Sequence, residues 1–244
     1  MPRLAPSQYL EHQGIQIAAG NVLHTTSVHK FGAVPAMSQN QSGTIWDVND
    51  TLYPWSAFSS AAVINVERNN VADEGKQITI QGLDANYNLV EDTVTIAGAD
   101  TLSTQTFIRV FRAFKSAGTT NVGDIDLEYG AAGGTTVARI NAGKGQTLMA
   151  IYTVPAGYTA FLLQGTATCQ DGADATGDMF VRYFGQDAFR TGHSFEVSGD
   201  GGQYFYPFAV PIRIPAKSDI DVRASVRSNN ARLTAAFDMI LVKD

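Results

Sequence analysis

The sequence has little charge and a single cysteine. Only 16% of its 244 residues are Asp, Glu, Lys or Arg, whereas about 25% is usual for a soluble domain. One cysteine, Cys169, excludes an intramolecular disulfide and a cysteine-based zinc site. We expect Cys169 to be a buried small apolar side chain, because no basic neighbour in the sequence would activate a thiolate.

Long apolar runs and basic clusters are also missing. No apolar run approaches the ~18 residues of a membrane span, and Met1–Pro6 lacks the apolar region of a secretory signal. We therefore expect synthesis in the cytoplasm and no membrane partner. The formal net charge of -6 argues against a general nucleic-acid binder, because such proteins need a basic footprint.

Strand-like alternation takes the place of helical periodicity. The clearest case is 219–227, where Ile220, Val222, Ala224 and Val226 share one face. The opposite row, Asp219, Asp221, Arg223 and Arg227, is expected to be a solvated strand face, with pairing across strands or subunits as the alternative. About ten to thirteen short strands separated by Pro-containing and Gly-containing turns predict an all-β protein built from β-sandwiches.

The distribution of these patterns predicts three regions. Residues 1–34 hold three of the four histidines and little periodicity, so we predict an extended N-terminal arm that docks on its own domain or on a neighbouring subunit. Residues 35–140 are predicted to form a β-sandwich. Residues 141–244 are predicted to form a C-terminal jelly-roll-like β-sandwich. A single large barrel is the alternative architecture.

Six side chains are candidates for an assembly contact. Four of them lie in one turn-rich stretch, residues 45–58, which we call the aromatic segment, and they are Trp46, Tyr53, Trp55 and Phe58. Such aromatic residues are costly to leave in water, so they either plug the end of a sandwich or form a contact patch. His29 and Phe31 from the arm complete the predicted contact set.

No motif for catalysis is present in the sequence. The chain lacks G-x-S-x-G, H-E-x-x-H and H-x-H, and the glycine-rich residues 130–134 lack the Lys-Ser/Thr of a phosphate loop. The loop 171–178 carries three aspartates that we interpret as turn-forming, with a calcium site as the alternative. We predict no catalytic residue, no cofactor and no metal, hence no enzyme. A glycan hydrolase is the rival class, because paired carboxylates can converge in space.

Several short segments resemble a known group of proteins. They are Ser27–Gly32, Thr44–Asp47, Ile80–Asn88, Asn121–Ile125, Thr153–Gly157 and Phe237–Val242. From about residue 27 to the end, the chain resembles virion structural proteins of tailed bacteriophages. The matching segments are turns and strand ends, so the resemblance implies a fold and an assembly role but supplies no catalytic residue.

The resemblance implies a non-enzymatic virion protein made in the host cytoplasm. We expect a capsid decoration or cement protein that attaches through its arm and aromatic segment, with the major capsid protein as partner and a homotrimer or homodimer as its own state. A tail component (baseplate, neck or fibre adaptor) is the alternative. A host-glycan-binding module is a third possibility, with Trp46, Tyr53, Trp55 or the Tyr204–Phe208 cluster stacking on sugars.

Overall fold

The computed structural model describes residues 13–48, 50–170, 172–199, 202–227 and 230–244, and this part of the chain is all-β as predicted. It contains one short helix, α1 (Gln13–Ala18), and two single-turn 3₁₀ segments, Trp55–Ala57 and Val71–Asp73. The strands are β1 (Thr25–Met37), β2 (Ser42–Thr44), β3 (Ile64–Arg68), β4 (Gln77–Leu83), β5 (Leu89–Thr95), β6 (Asp100–Leu102), β7 (Arg109–Ala117), β8 (Ile125–Tyr129), β9 (Thr135–Ile140), β10 (Ile151–Thr153), β11 (Tyr158–Cys169), β12 (Ala175–Arg182), β13 (Arg190–Val197), β14 (Gln203–Ile214), β15 (Asp219–Val226) and β16 (Ala231–Lys243). Among the described helices, none is long and apolar enough to cross a membrane.

Two antiparallel sheets form a jelly roll. One sheet has the strand order β1-β16-β11-β14, and the other has β10-β15-β12-β13, with β2 also paired to β15. If β2 and β10 are counted as two pieces of one strand, the eight strands in chain order lie as 1-8-3-6 and 2-7-4-5. This is the double Greek key of a jelly roll.

Alternating apolar residues of β15 and β16 fill the space between the two sheets. The buried residues are Ile220, Val222, Ala224 and Val226 on β15, and Ala231, Leu233, Ala235, Phe237, Met239 and Leu241 on β16. Successive side chains of a strand point to opposite faces, so each strand delivers one apolar row to the core. The predicted inward row of β15 is therefore confirmed.

A second pair of sheets is inserted between β2 and β10. Its strand orders are β6-β3-β8-β9 and β5-β4-β7, and we call residues 62–146 the insert. Its core includes the fully buried side chains Ile78, Ile80 and Phe107. Gly82 on β4 has no room for a side chain, because a Cβ there would lie 2.7 Å from the Phe107 ring and closer still to the Arg109 carbonyl.

The chain order of these units differs from the predicted division. Residues 25–34, assigned to the arm, form most of β1, and β1 pairs along its length with β16, from Thr25 opposite Val242 to Met37 opposite Ala231. Residues 42–44, assigned to the first sandwich, pair with β15 in the jelly roll. The hydrogen-bonding partners of β1 and β2 are far away in sequence, so no local pattern indicates them. Residues 13–18 are helical rather than extended, and residues 1–12 lie outside the described part of the chain.

Candidate functional site

The two candidate residues from the predicted arm lie on β1, an edge strand of the first jelly-roll sheet. His29 is opposite Asp238 of β16, and its Nδ1 is hydrogen-bonded to the Asp238 carboxylate. The His29 side chain is 59% exposed, while Phe31 is half-buried with its ring centroid 5.5 Å from that of His29. These two residues therefore remain accessible at the surface of the folded chain.

The four aromatic candidates are inside the molecule. Trp46, Tyr53, Trp55 and Phe58 are at most 6% exposed. Tyr53 is central, with its ring centroid 5.2 Å from Trp46, 4.7 Å from Trp55 and 6.0 Å from Phe58. Their side chains pack between the jelly roll and the insert, so in the folded chain they do not form an exposed contact patch.

The polar ends of these aromatic side chains have buried partners. The Tyr53 hydroxyl donates to the Val110 carbonyl on β7 at 2.9 Å. The Trp55 indole N–H donates to the Asp221 carboxylate on β15, also at 2.9 Å. Each bond joins the aromatic segment to a different unit of the fold. Because an unpaired buried donor is costly, these two bonds help to hold the segment in place.

Asp219 is the centre of a charge network at the junction of the two units. It is 3% exposed and accepts two bonds from Arg109 of the insert, at 2.9 and 3.1 Å. Arg182 of β12 donates to the same carboxylate at 2.6 and 3.1 Å, and Thr153 donates at 2.7 Å. Burial is the largest single effect and lowers the pKa of Arg109, but the hydrogen bonds and the electrostatic attraction to Asp219 together outweigh it and raise that pKa. A bidentate pair of this kind fixes the orientation of the insert.

Asp221 is buried beside it and is also fully bonded. It accepts from Thr44 and Trp55 at 2.9 Å each and from Arg223 at 2.8 Å. The row predicted as a solvated strand face therefore has its two aspartates buried, because β2 and the aromatic segment cover that face of β15. Pairing across elements, the alternative interpretation of this row, is what the structure has.

Asp47 adds a buried carboxylate within the aromatic segment itself. It is 3% exposed, accepts a hydrogen bond from the Leu148 N–H, and accepts another from Asn141 at 3.1 Å. Burial raises the pKa of Asp47 to about 8, against the lowering effects of the Leu148 bond and of Arg139. Asp47 is therefore a group whose protonation state is coupled to the packing of the two units.

A second, exposed aromatic cluster lies on β14, the edge strand opposite β1 in the first jelly-roll sheet. β14 ends its sheet, with β11 as its one partner among the described strands. Phe205 is 54% exposed, Tyr206 45% and Val210 81%. Of the twelve residues of β14, Arg213 alone carries a charge. Large apolar side chains on a nearly uncharged edge strand are typical of an interaction surface.

The geometry of β14 places part of this surface out of the sheet. Leu162 of β11 pairs with Ile212, and Gln164 pairs with Pro207, so residues 208–211 bulge opposite one residue of β11. The bulge carries Val210 at its most exposed point. We use the name aromatic edge for β14 together with His193 of β13, whose ring lies 4.8 Å from Tyr206 and 5.2 Å from Phe208 between centroids.

Neither the lone thiol nor the acidic loop is seen in a reactive arrangement. Cys169 is buried, and burial raises the pKa of its thiol. In the acidic loop, Asp171 lies outside the described residues. Asp174 accepts from the Gly199 N–H at 2.8 Å, and Asp178 accepts from Ser194 at 2.5 Å. Among the described residues, no three His, Cys, Asp or Glu side chains are grouped as metal ligands.

Comparisons with known proteins give weak matches. No protein-family model and no curated protein sequence matches the chain. Among solved structures, the naturally occurring empty particle of cowpea mosaic virus (top component) aligns at 8% identity over 76% of this chain and 82% of that chain, with a TM-score of 0.24. Infectious bursal disease virus, Gt strain, aligns at 10% identity over 90% and 73%, with a TM-score of 0.23. The VP2 subviral particle of that virus aligns at 9% over 90% and 72%, with a TM-score of 0.24. TM-scores this low carry no argument about fold or role.

The aromatic edge is missing from the contact set that the sequence predicts, although the sequence indicates the Tyr204–Phe208 cluster as a candidate for sugar stacking. One local signal marks β14 as an edge strand, since it contains Pro207 and Pro211. The aromatic residues at the consecutive positions 204–206 make both faces of the strand apolar, so one face stays apolar whichever face packs on the sheet. Proline is confined to edge strands and bulges because it cannot donate to the ladder.

Proposed function

We propose that this chain is a non-enzymatic structural subunit of a virus particle, and that it assembles with copies of itself through the aromatic edge. The observation that carries the proposal is the exposed, nearly uncharged edge strand β14 on a jelly-roll domain. Jelly rolls serve as capsid subunits and as lectins, so the fold by itself does not choose between these roles. The exposed edge favours a subunit that needs a neighbour.

The argument for self-association is energetic. Burial of apolar surface contributes roughly 25 cal/mol per Å², and Phe205, Tyr206 and Val210 present such surface without a covering layer. Single-domain proteins protect an edge with lysines, other charges or short strands. β14 is twelve residues long and has one charged residue. Its two prolines limit backbone pairing, so we expect side-chain packing between copies rather than a continuous sheet.

The finer assignment is a capsid decoration or cement protein of a tailed bacteriophage. The resemblance of segments from Ser27 to Val242 supports the phage origin, and a compact subunit without heptads or collagen-like repeats is easier to fit on a capsid than in a long fibre. The buried aromatic segment is removed from the proposed attachment surface. Residues 1–12, His29 and Phe31 stay in it, and the aromatic edge joins it.

The self-association proposal is tested by Val210→Asp, with Val71→Asp as matched control. Both valines are exposed, 81% and 69% respectively, and Val71 lies in the insert. Light scattering coupled to size exclusion should give a dimer or trimer for the wild type and for Val71→Asp, but a monomer for Val210→Asp. An unchanged melting temperature would show that the monomer is folded. A wild type that stays monomeric at high concentration, or a Val210→Asp oligomer, would refute the proposal.

The position on the particle is tested by copy number. Quantitative mass spectrometry of purified particles should give hundreds of copies for a capsid decoration protein, whereas a few copies would assign it to the tail.

The contribution of the N-terminal residues is tested by removing residues 1–12, a deletion that leaves β1 intact. Loss of incorporation with normal folding would support attachment by this segment, and full incorporation would count against it.

A further inference from the structure

A pocket of about 310 Å³ opens at the junction between the jelly roll and the insert. The insert contributes Tyr87, from the β4–β5 turn, and Arg109. The jelly roll contributes Arg182, Phe184 in the loop after β12, and Lys217 in the turn before β15; a further wall is the buried aromatic segment. Ligand sites are frequent at such domain junctions, where two rigid units supply different side chains.

The cationic side chains of the pocket differ in how many of their hydrogen-bond donors already have a partner within the chain. Arg109 is committed, because its nitrogens bond to Asp219 and to the Ile108 carbonyl. Arg182 bonds to Asp219 through Nε and Nη2. Within the described part of the chain, no hydrogen bond ends on Arg182 Nη1 or on Lys217 Nζ. Two donors on two cations therefore remain available to a ligand.

The sum of charges favours an anion. The pocket is lined by three cations, Arg109, Arg182 and Lys217, and by two carboxylates, Asp187 and Asp219. One positive charge is in excess, on a chain whose formal net charge is -6. A local cation excess inside a concave site focuses the field on a small anionic group.

The rim of the pocket carries an exposed aromatic ring. Phe184 is 58% exposed, and its ring centroid lies 5.6 Å from that of Tyr87. Lys217 Nζ lies 4.9 Å from the Phe184 centroid and 5.5 Å from that of Tyr87. The two rings and the ammonium group thus form one surface, which can contact a flat apolar ligand face and an adjacent negative charge together.

We propose that this pocket binds an acidic sugar, a pyranose ring that carries a carboxylate. The carboxylate would bond to Arg182 Nη1 and Lys217 Nζ, and the C–H face of the ring would stack on Phe184. A neutral sugar would leave the excess positive charge of the pocket without a counter-charge, and a simple anion would leave the ring of Phe184 uncovered. The site is separate from the aromatic edge, so this inference does not depend on the proposed assembly role.

Calorimetry with the full-length protein tests the proposal. The probe is trigalacturonic acid, and its methyl ester is the matched neutral ligand. Sodium citrate and inorganic phosphate serve as simple anions, and sialyllactose against lactose provides a second acidic and neutral pair. We expect at least one of the two acidic saccharides to bind, with an affinity that falls as salt is added. The proposal is overturned if neither binds, if the neutral partner binds equally well, or if citrate or phosphate binds as tightly.

Variants locate the binding. Lys217→Asn removes the ammonium group and suits the left-handed backbone at this position, where φ is +61°; Phe184→Ala removes the ring. Each should weaken binding of the acidic sugar about tenfold or more. Lys144→Asn, at an exposed lysine of the 141–146 loop, should leave it unchanged. Wild-type affinity in both pocket variants would overturn the assignment. The melting temperature of each variant shows whether it is folded. The oligomeric state, which the aromatic edge controls under the proposed function, is measured separately from sugar binding, so the two proposals can fail independently.

Discussion

Two aromatic segments of this chain have opposite environments. In the buried aromatic segment, residues 45–58, the four large aromatic side chains are at most 6% exposed. In β14, Phe205 and Tyr206 are 54% and 45% exposed. Both segments are aromatic, both contain proline, and neither has a clean alternation of apolar and polar residues. The residue composition and the alternation pattern of a segment therefore do not decide whether its aromatic cluster is buried.

What differs is the supply of polar partners and covering layers. The Tyr53 hydroxyl and the Trp55 N–H find acceptors on the insert and on β15. The Tyr206 hydroxyl has no hydrogen-bond partner among the described residues, and β14 is the last strand of its sheet. A buried Tyr or Trp usually has a hydrogen-bond partner for its polar end. The buried segment joins two units, whereas the exposed segment has no covering layer among the described residues.

The largest expected contrast comes from the same substitution in both segments. Phe58→Ala leaves a cavity between the two units and should lower the free energy of unfolding by about 3–5 kcal/mol. Phe205→Ala removes an exposed ring and should cost within about 1 kcal/mol. Urea denaturation at one protein concentration measures both, with equal m-values as the check on two-state behaviour. Equal losses would mean that β14 is covered within the chain.

The charge network behind the buried segment should give the next largest effect. Asp219→Asn removes the negative charge shared by Arg109 and Arg182 and should destabilise the fold by about 3 kcal/mol or more, because two guanidinium groups lose their counter-charge. Asp187→Asn, at an exposed carboxylate on the same pocket, is the control and should change stability within about 0.5 kcal/mol. A small effect of Asp219→Asn in thermal unfolding would show that the junction tolerates uncompensated charge.

The buried segment should also carry a pH dependence through its aspartate, a residue type that β14 does not contain. The pKa of Asp47 is about 8 in the folded chain and 3.8 in its ordinary state, so the folded state binds the proton more tightly. Stability present at low pH is then lost as pH rises through this window, by at most about 1.4 kcal/mol per pH unit.

Asp47→Asn should remove this dependence, and the comparison is best made between pH 5 and 6. Burial lowers the pKa of Lys30 to about 7, so below that pH Lys30 is charged in both folded and unfolded chains and adds no slope. Urea midpoints for the wild type and Asp47→Asn measure the difference. Parallel curves for the two proteins would show that Asp47 keeps its ordinary acidity when buried.

Local patterns in the sequence predict the strands but not their partners. The alternation of 219–227 identifies β15 and its inward row, because successive side chains of a strand point to opposite faces and the sequence alone shows which residues share a face. β1 pairs with a strand about two hundred residues away, and the insert interrupts one strand of the jelly roll. Neither the pairing of β1 with β16 nor the position of the insert leaves a local signal in the sequence. Residues 25–34 therefore look like an extended arm until their pairing with β16 is known.

The same limit applies to the candidate site. Asp219 and Asp221 occupy the polar row of β15 and suggest a solvated face, yet both are at most 3% exposed. Alternation shows which side of the strand faces away from the jelly-roll core. It does not show that β2 and the aromatic segment cover that side. The arginines that neutralise Asp219 come from β7 and β12, which no spacing rule connects to it.

The smallest expected contrast concerns a single hydroxyl group in each segment. Burial raises the pKa of the Tyr53 hydroxyl well above its usual value, so it stays protonated and donates to Val110. Tyr53→Phe leaves that buried carbonyl without its donor and should cost about 1 kcal/mol. Tyr206→Phe removes a hydroxyl at the exposed edge and should change stability by no more than a few tenths of a kcal/mol. The difference between the two variants, measured by urea denaturation in the same buffer, isolates the value of a satisfied polar end. If Tyr206→Phe costs as much, the hydroxyl at the edge already has a partner, and a neighbouring copy of the chain is the first place to look for it.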